Sequence, residues 1–153
     1  MRTADSGVTL IEVLIVLTLI GVSAGIVSYA LPSDAPERSL EQEAALLAAR
    51  INLAAERSLT GGHPLSLDWQ TDGYSFREWR AGVWDAAQNA PLDLKHTLAS
   101  GAILTDADGM SAGAVQITPD LLPSSAGIIL LSLEAQGLRR TVAFDGAAAR
   151  ISQ

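Results

Sequence analysis

Polar and apolar positions divide this chain into three stretches of different period. Between Val13 and Ser33 no residue is charged, and VLIVLTLIGVSAGIVSYAL is a run of 19 almost wholly apolar residues. A run of that length predicts a transmembrane helix. Taken over 8–31, 24 residues at about 1.5 Å each cover roughly 36 Å, enough to cross a hydrocarbon layer of about 30 Å with some tilt. Pro32 and Pro36 should end or bend it, and Asp34-Ala-Pro-Glu37 has the form of a cap opening the next helix.

The second stretch, 37–59, has no Pro or Gly and is rich in the helix formers Ala, Leu, Glu and Arg. Leu40, Ala44, Leu47, Ile51 and Ala54 recur at three- and four-residue steps, with Ala48 and Ala55 beside them. This predicts an amphipathic helix whose stripe packs on a sheet formed by the rest of the chain. Arg38, Glu41, Arg50 and Arg57 are expected on the opposite, solvated side.

Thr60-Gly-Gly-His-Pro64 breaks that helix, and the third stretch has period two. Leu65–Trp69 and Tyr74–Trp79 alternate around Thr71-Asp-Gly73, which predicts a hairpin. Further strands are expected at 102–105, 114–118, 128–134, 140–145 and 148–152. Tight turns at Gln136-Gly137 and Asp145-Gly146 should make the last three an antiparallel meander. Residues 80–101 and 106–113 carry few strand signals and read as loops. The fold class expected is α+β: a long N-terminal helix, transmembrane then amphipathic, packed on an antiparallel sheet or sandwich.

Composition narrows the class. A length of 153 residues suits one globular domain. Apolar residues make up 48% against 18% charged, a balance that points to contact with lipid or a partner helix. A net charge of −7 disfavours a protein that tracks phosphates, so no nucleic-acid partner is expected; the basic residues after Lys95, Arg139, Arg140 and Arg150, make only a weak patch. The absence of cysteine removes disulfides, thiolate metal sites and Cys nucleophiles.

Glu12 stands out, because a carboxylate at the centre of a membrane helix costs on the order of 2.5 to 3.5 kcal/mol and calls for a partner. A plainer alternative starts the helix at Glu12, leaving the acid at the headgroups and near the positive end of the helix dipole. The string Gly7-Val-Thr-Leu-Ile-Glu12-Val-Leu-Ile-Val-Leu, preceded by the short MRTADS segment, resembles the type III signal of type IV pilins and of type II secretion pseudopilins. The resemblance implies that a prepilin peptidase cuts between Gly7 and Val8 and methylates Val8, placing Glu12 at mature position five. It also implies that Glu12 pairs with the new amino terminus of a neighbouring subunit, a contact that selects register in a poorly solvated place. Val8 stands where the family usually has Phe, and Arg2 is offset by Asp5 in the leader. A rival route is an ordinary secretory signal cut near Ala24 or Ala30, disfavoured by a scarcely positive start and an over-long apolar run.

Over most of its length the chain is similar to the H-type minor pseudopilins. The similarity runs through the Ala-rich helix with Glu56-Arg57 near its end, the Gly61-Gly-His-Pro64 turn, the Gly73-Tyr74 hairpin, Trp84 and the Phe144-Asp-Gly146 turn. It implies a leader at 1–7, a transmembrane and assembly helix at 8–31, an amphipathic periplasmic helix at 32–60 and a β-rich periplasmic domain at 61–153. A single pass through a bacterial inner membrane, with the N-terminus cytoplasmic, is implied too. So is a place near the tip of a periplasmic pseudopilus that supports export of folded proteins. The partners implied are other pseudopilins, the prepilin peptidase, the inner-membrane assembly platform, the membrane and secreted cargo. The alternatives are a minor pilin of a type IV pilus, for adhesion or DNA uptake, and a membrane-tethered periplasmic binding module.

No enzyme signature competes, so no catalytic residue, metal or cofactor is expected. His63 and His96 lie in no ligand motif and read as solvated structural residues. Asp106-Ala-Asp108-Gly109 lacks the third acid and the closing Glu of a calcium loop and reads as a turn. Trp69 and Trp79 alternate on strands and are expected in the core; Trp84 is left open as core or binding surface.

Overall fold

The computed structural model describes residues 10–30, 35–99, 101–122 and 127–152, with side chains at 24–30 excepted. It comprises two compact units, 1–34 and 35–153. In the first, α1 runs Leu10–Ala30. Gly7, Val8, Pro32 and Asp34 lie outside the described residues.

The second unit opens with α2, Ala35–Gly61. Pro36 fits its first turn, where a missing N–H costs nothing, and Glu37 lies in the same turn. Among the described residues nine strands follow: β1 (Leu65–Gln70), β2 (Gly73–Arg80), β3 (Val83–Ala86), β4 (His96–Thr97), β5 (Ile103–Asp106), β6 (Gly113–Ile117), β7 (Ile129–Ala135), β8 (Leu138–Phe144) and β9 (Ala149–Ser152). They form two antiparallel sheets, β3-β2-β1-β6 with β4 also paired to β2, and β5-β7-β8-β9. The chain passes from the first sheet to the second at β5, returns at β6 and leaves again at β7.

All seven residues of the expected α2 stripe, Leu40, Ala44, Leu47, Ala48, Ile51, Ala54 and Ala55, are buried, in one core with the inner faces of both sheets. Leu67, Phe76 and Ile117 come from the first sheet, and Leu104, Leu131, Leu133, Val142 and Phe144 from the second. Alanines on the helix let strands approach it closely, and two polar residues use that closeness. Asn52 donates from Nδ2 to the Ala149 carbonyl at 3.1 Å and accepts the Ala149 N–H at 2.7 Å. Ser58, fully buried, donates to the carbonyls of His63 or Ile117, each 3.0 Å away. Buried main-chain groups at both ends of the sheets thereby find partners on the helix.

The hairpin at 65–79 and the meander of β7, β8 and β9 stand where the pattern places them. Residues 80–101, read as loop, contain β3 and β4. The β2–β3 turn is Ala81-Gly82, with φ of 49° and 86°, the same two-residue geometry as Gln136-Gly137 at 51° and 79°. Such turns match strand twist but need positive φ at both positions, which an Ala at the first does not advertise. Trp79, expected in the core, is 39% exposed, because it lies on the outer face with Arg77, whereas Trp69 is buried on the inner face.

Two features give predictions. The backbone of β4 lies so close to Gly73 that a Cβ there would sit 2.1 Å from the His96 carbonyl oxygen. Gly73→Ala is expected to cost about 1–3 kcal/mol in urea denaturation and to strip amide protection from 96–97. At the β8–β9 turn, Asp145 accepts the N–H groups of Ala148 and Ala147 at 2.8 and 3.0 Å, which hold its carboxyl below the ordinary value. A lowered native pKa stabilises above the unfolded value and is lost as pH falls through the carboxylate range near about 4. The stability gap between the wild type and Asp145→Ala should therefore be widest near neutrality and narrow in acid.

Candidate functional site

The first unit presents a helix that nothing within its own unit covers. From Leu10, 85% exposed, through Val22, 61% exposed, every large apolar side chain is exposed within this unit, and the apolar residues lie on all sides. Water does not favour such a surface; lipid or a bundle of like helices does. The polar atoms are already satisfied: Thr18 donates to the Leu14 and Ile15 carbonyls, and Ser23 to Leu19 at 2.8 Å, so neither needs water. Glu12 lies in the first turn of α1, exposed, near the positive end of the helix dipole. Among the described residues whose side chains are defined, no helix is long and apolar enough to cross a membrane; in α1 those residues stop at 23, while the helical backbone continues to Ala30.

In the second unit the structure separates residues that the pattern grouped. Arg50 and Arg57, expected in solvent, form with Glu43 a polar row at seven-residue steps along α2 that meets β4, the Tyr74 ring and the β3–β4 connection in turn. Glu43 accepts from His96 Nε2 at 2.7 Å and from the Ala99 N–H at 3.2 Å. Arg50 lies over the Tyr74 ring, 5.7 Å from its centroid, and that ring in turn lies 5.0 Å from His96. Burial raises the Tyr74 hydroxyl well above its ordinary pKa, so it stays neutral. Arg57 donates to the carbonyls of Asn89 and Ala90 at 3.0 and 2.7 Å. His96 is thus a half-buried clasp instead of a solvated residue, while His63 is exposed in its turn as expected. The heptad of polar residues was the signal available for this clasp, and the solvent-face reading passed over it.

The other chemical candidates resolve into structure. Asp106 Oδ1 accepts the N–H groups of Asp108 and Met110 at 3.0 and 2.8 Å, so the carboxylate closes its own turn. Among the described residues no group of three His, Asp or Glu is placed to hold a metal. Arg140 donates to Glu41 at 2.6 Å and to Glu37 at 2.8 Å, carboxylates that push its pKa higher still, and Arg139 pairs with Glu134. Two of the three arginines of the weak basic patch are therefore neutralised.

Comparison with known proteins agrees with this division of labour. Residues 2–28 match the model for the prokaryotic N-terminal methylation motif, which spans Gly7, Val8 and Glu12. No curated protein matches the sequence. Among solved structures, the chain is similar to the minor pseudopilin EpsH from the type 2 secretion system of Vibrio cholerae, with TM-score 0.62 and 18% identity over 74% of this chain and 96% of that one. It is similar also to the type IV minor pilin FimU of Pseudomonas aeruginosa, with TM-score 0.57 and 12% identity over 76% and 90% of the two chains. The fold is pilin-like, and it is joined to a prepilin-type N-terminus.

The clasp gives a prediction. Glu43→Ala removes the acceptor of both His96 and the Ala99 N–H and is expected to cost about 1–3 kcal/mol, with the loss of protection concentrated at 96–99 in hydrogen exchange.

Proposed function

We propose that this pilin-like chain is a minor pseudopilin, a structural subunit at or near the tip of the periplasmic fibre of a type II secretion system. The observation that carries the reading is the methylation motif over 2–28, leading into a helix that is apolar on every side and uncovered within its own unit. The likeness to EpsH favours the secretion assignment over others with the same N-terminus.

In this reading the peptidase cuts after Gly7 and methylates Val8, creating an amine four residues before Glu12. The chain waits in the inner membrane, held by α1, with the 35–153 unit in the periplasm. When the assembly platform extracts the subunit, α1 exchanges lipid for neighbouring helices at little net hydrophobic cost, since both surroundings are apolar. What lipid does not supply is a countercharge for Glu12, and the amine of a neighbour does. Register then follows from one charge pair, because a slip of one turn leaves both charges unpaired in an apolar place. The β-rich unit remains free to meet other minor subunits or exported cargo. No catalysis, cofactor or nucleic acid enters this account.

The likeness to FimU supports a second reading, a type IV minor pilin, which shares every step above and differs in the fibre joined. Salt-dependent DNA binding by the purified chain would favour that reading, and a secretion defect on deletion would favour the first.

Replacing Glu12 with Val should leave the subunit processed and in the membrane, yet reduce its recovery in sheared fibres at least tenfold and impair secretion. Normal fibre incorporation of the Glu12→Val protein would refute the register mechanism.

A further inference from the structure

The outer face of the sheet β3-β2-β1-β6 is a lane with an aromatic end and a hydrogen-bonding floor. Trp79 and Trp84 face each other across β2 and β3 with ring centroids 5.3 Å apart, and the Arg77 guanidinium lies 5.9 Å from the Trp84 centroid. The next rows bring Arg77 opposite Ser66, and Ser75 opposite Asp68. Beyond them a groove of about 440 Å³, within the usual range of small-molecule sites, opens along Asp68, Ser75 and Arg77 to Lys95. From Gly73 to Trp79 the lane is about 20 Å long at strand rise.

Charge along this lane cancels locally. Arg77 is paired with Asp68, which also accepts from Ser66 at 2.7 Å, and Lys95 lies 3.4 Å from Asp72. A charged ligand gains nothing from a field so compensated, and an apolar sheet finds paired ions and small residues where its side chains should interdigitate. The combination that remains, an exposed and a half-buried indole beside donors and acceptors fixed by their own pairing, suits a neutral ligand with apolar faces and hydroxyl edges. We propose that this face binds an extended, neutral oligosaccharide, with one sugar ring against the Trp79–Trp84 pair and its neighbours hydrogen-bonded along Arg77, Asp68 and Ser75. The inference rests on the 35–153 unit alone and stands whichever fibre the chain joins.

The test uses the full chain in a non-glycosidic detergent, titrated with chitohexaose and with cellohexaose while tryptophan fluorescence is followed. A saturable change is expected with at least one of them. Trp84→Ala and Trp79→Ala should each weaken it about tenfold, and Trp84→Phe should restore most of it. Ser75→Trp fills the lane from a half-exposed position without removing any existing contact, and should abolish binding at an unchanged urea midpoint. Absence of a saturable change with both sugars, or binding that survives Ser75→Trp, would overturn the assignment and leave the face as a protein-packing surface.

Discussion

The 35–153 unit depends on one seam, the burial of the α2 stripe against two sheets at once. Leu40, Leu47 and Ile51 supply apolar area, while Ala44, Ala48, Ala54 and Ala55 let the strands come close. Neither sheet is buried on both faces, so each needs the helix as its second layer. Removing area from this seam would loosen both sheets together, since the helix and the two inner faces share a single core. Closeness at the seam also allows side chains to substitute for strand partners, as Asn52 does for the Ala149 backbone and Ser58 for Ile117. Polar residues of α2 then bind what the apolar stripe does not reach: Glu43 fastens β4, Arg57 fastens the β3–β4 connection, and Glu37 and Glu41 hold Arg140 on β8.

The two helices solve opposite problems. One apolar stripe is enough for α2, because its own chain provides the covering layer. In α1 the apolar surface runs all the way round and the hydroxyls of Thr18 and Ser23 bond back into the helix, so neither marks a side on which to lie. A helix of that kind suits two exchangeable surroundings, lipid and a bundle of its own kind. Glu12 is the exception that gives the exchange a direction in our account, since a carboxylate gains from a bundle that brings an amine to it and from lipid gains nothing.

Much of this was legible in the residue pattern, and the failures share a cause. The α2 stripe, the first hairpin and the final meander follow from periods of 3.6 and 2 with ordinary turn residues. Trp79 misled because alternation tells which residues share a face but not which face is covered; placing it with Trp69 required a parity that the strand does not keep, since 69 and 79 lie on opposite sides of the same sheet. β3 was hidden by a turn whose first residue is Ala, and β4 by its length of two residues, held by Gly73 and by His96 bound to Glu43. Arg50 and Arg57 were assigned to solvent because long cations on a helix usually go there; instead Arg50 lies over the Tyr74 ring and Arg57 donates to the β3–β4 connection, and both are partly buried. The N-terminal site was readable as a motif because its chemistry is written in consecutive residues, whereas the clasp joins residues 53 positions apart.

In the proposed mechanism a peptidase converts Gly7-Val8 into a new amino terminus that Glu12 can meet. Intact mass and N-terminal sequence of the chain recovered from membranes, with and without an active prepilin peptidase, decide whether it does. The expected result is a chain beginning at methylated Val8 when the peptidase is active and the uncut chain when it is not. A chain that retains Met1 in the presence of active peptidase, or that begins after Ala24 or Ala30, would contradict it, because Glu12 would then have no amine of this origin to meet.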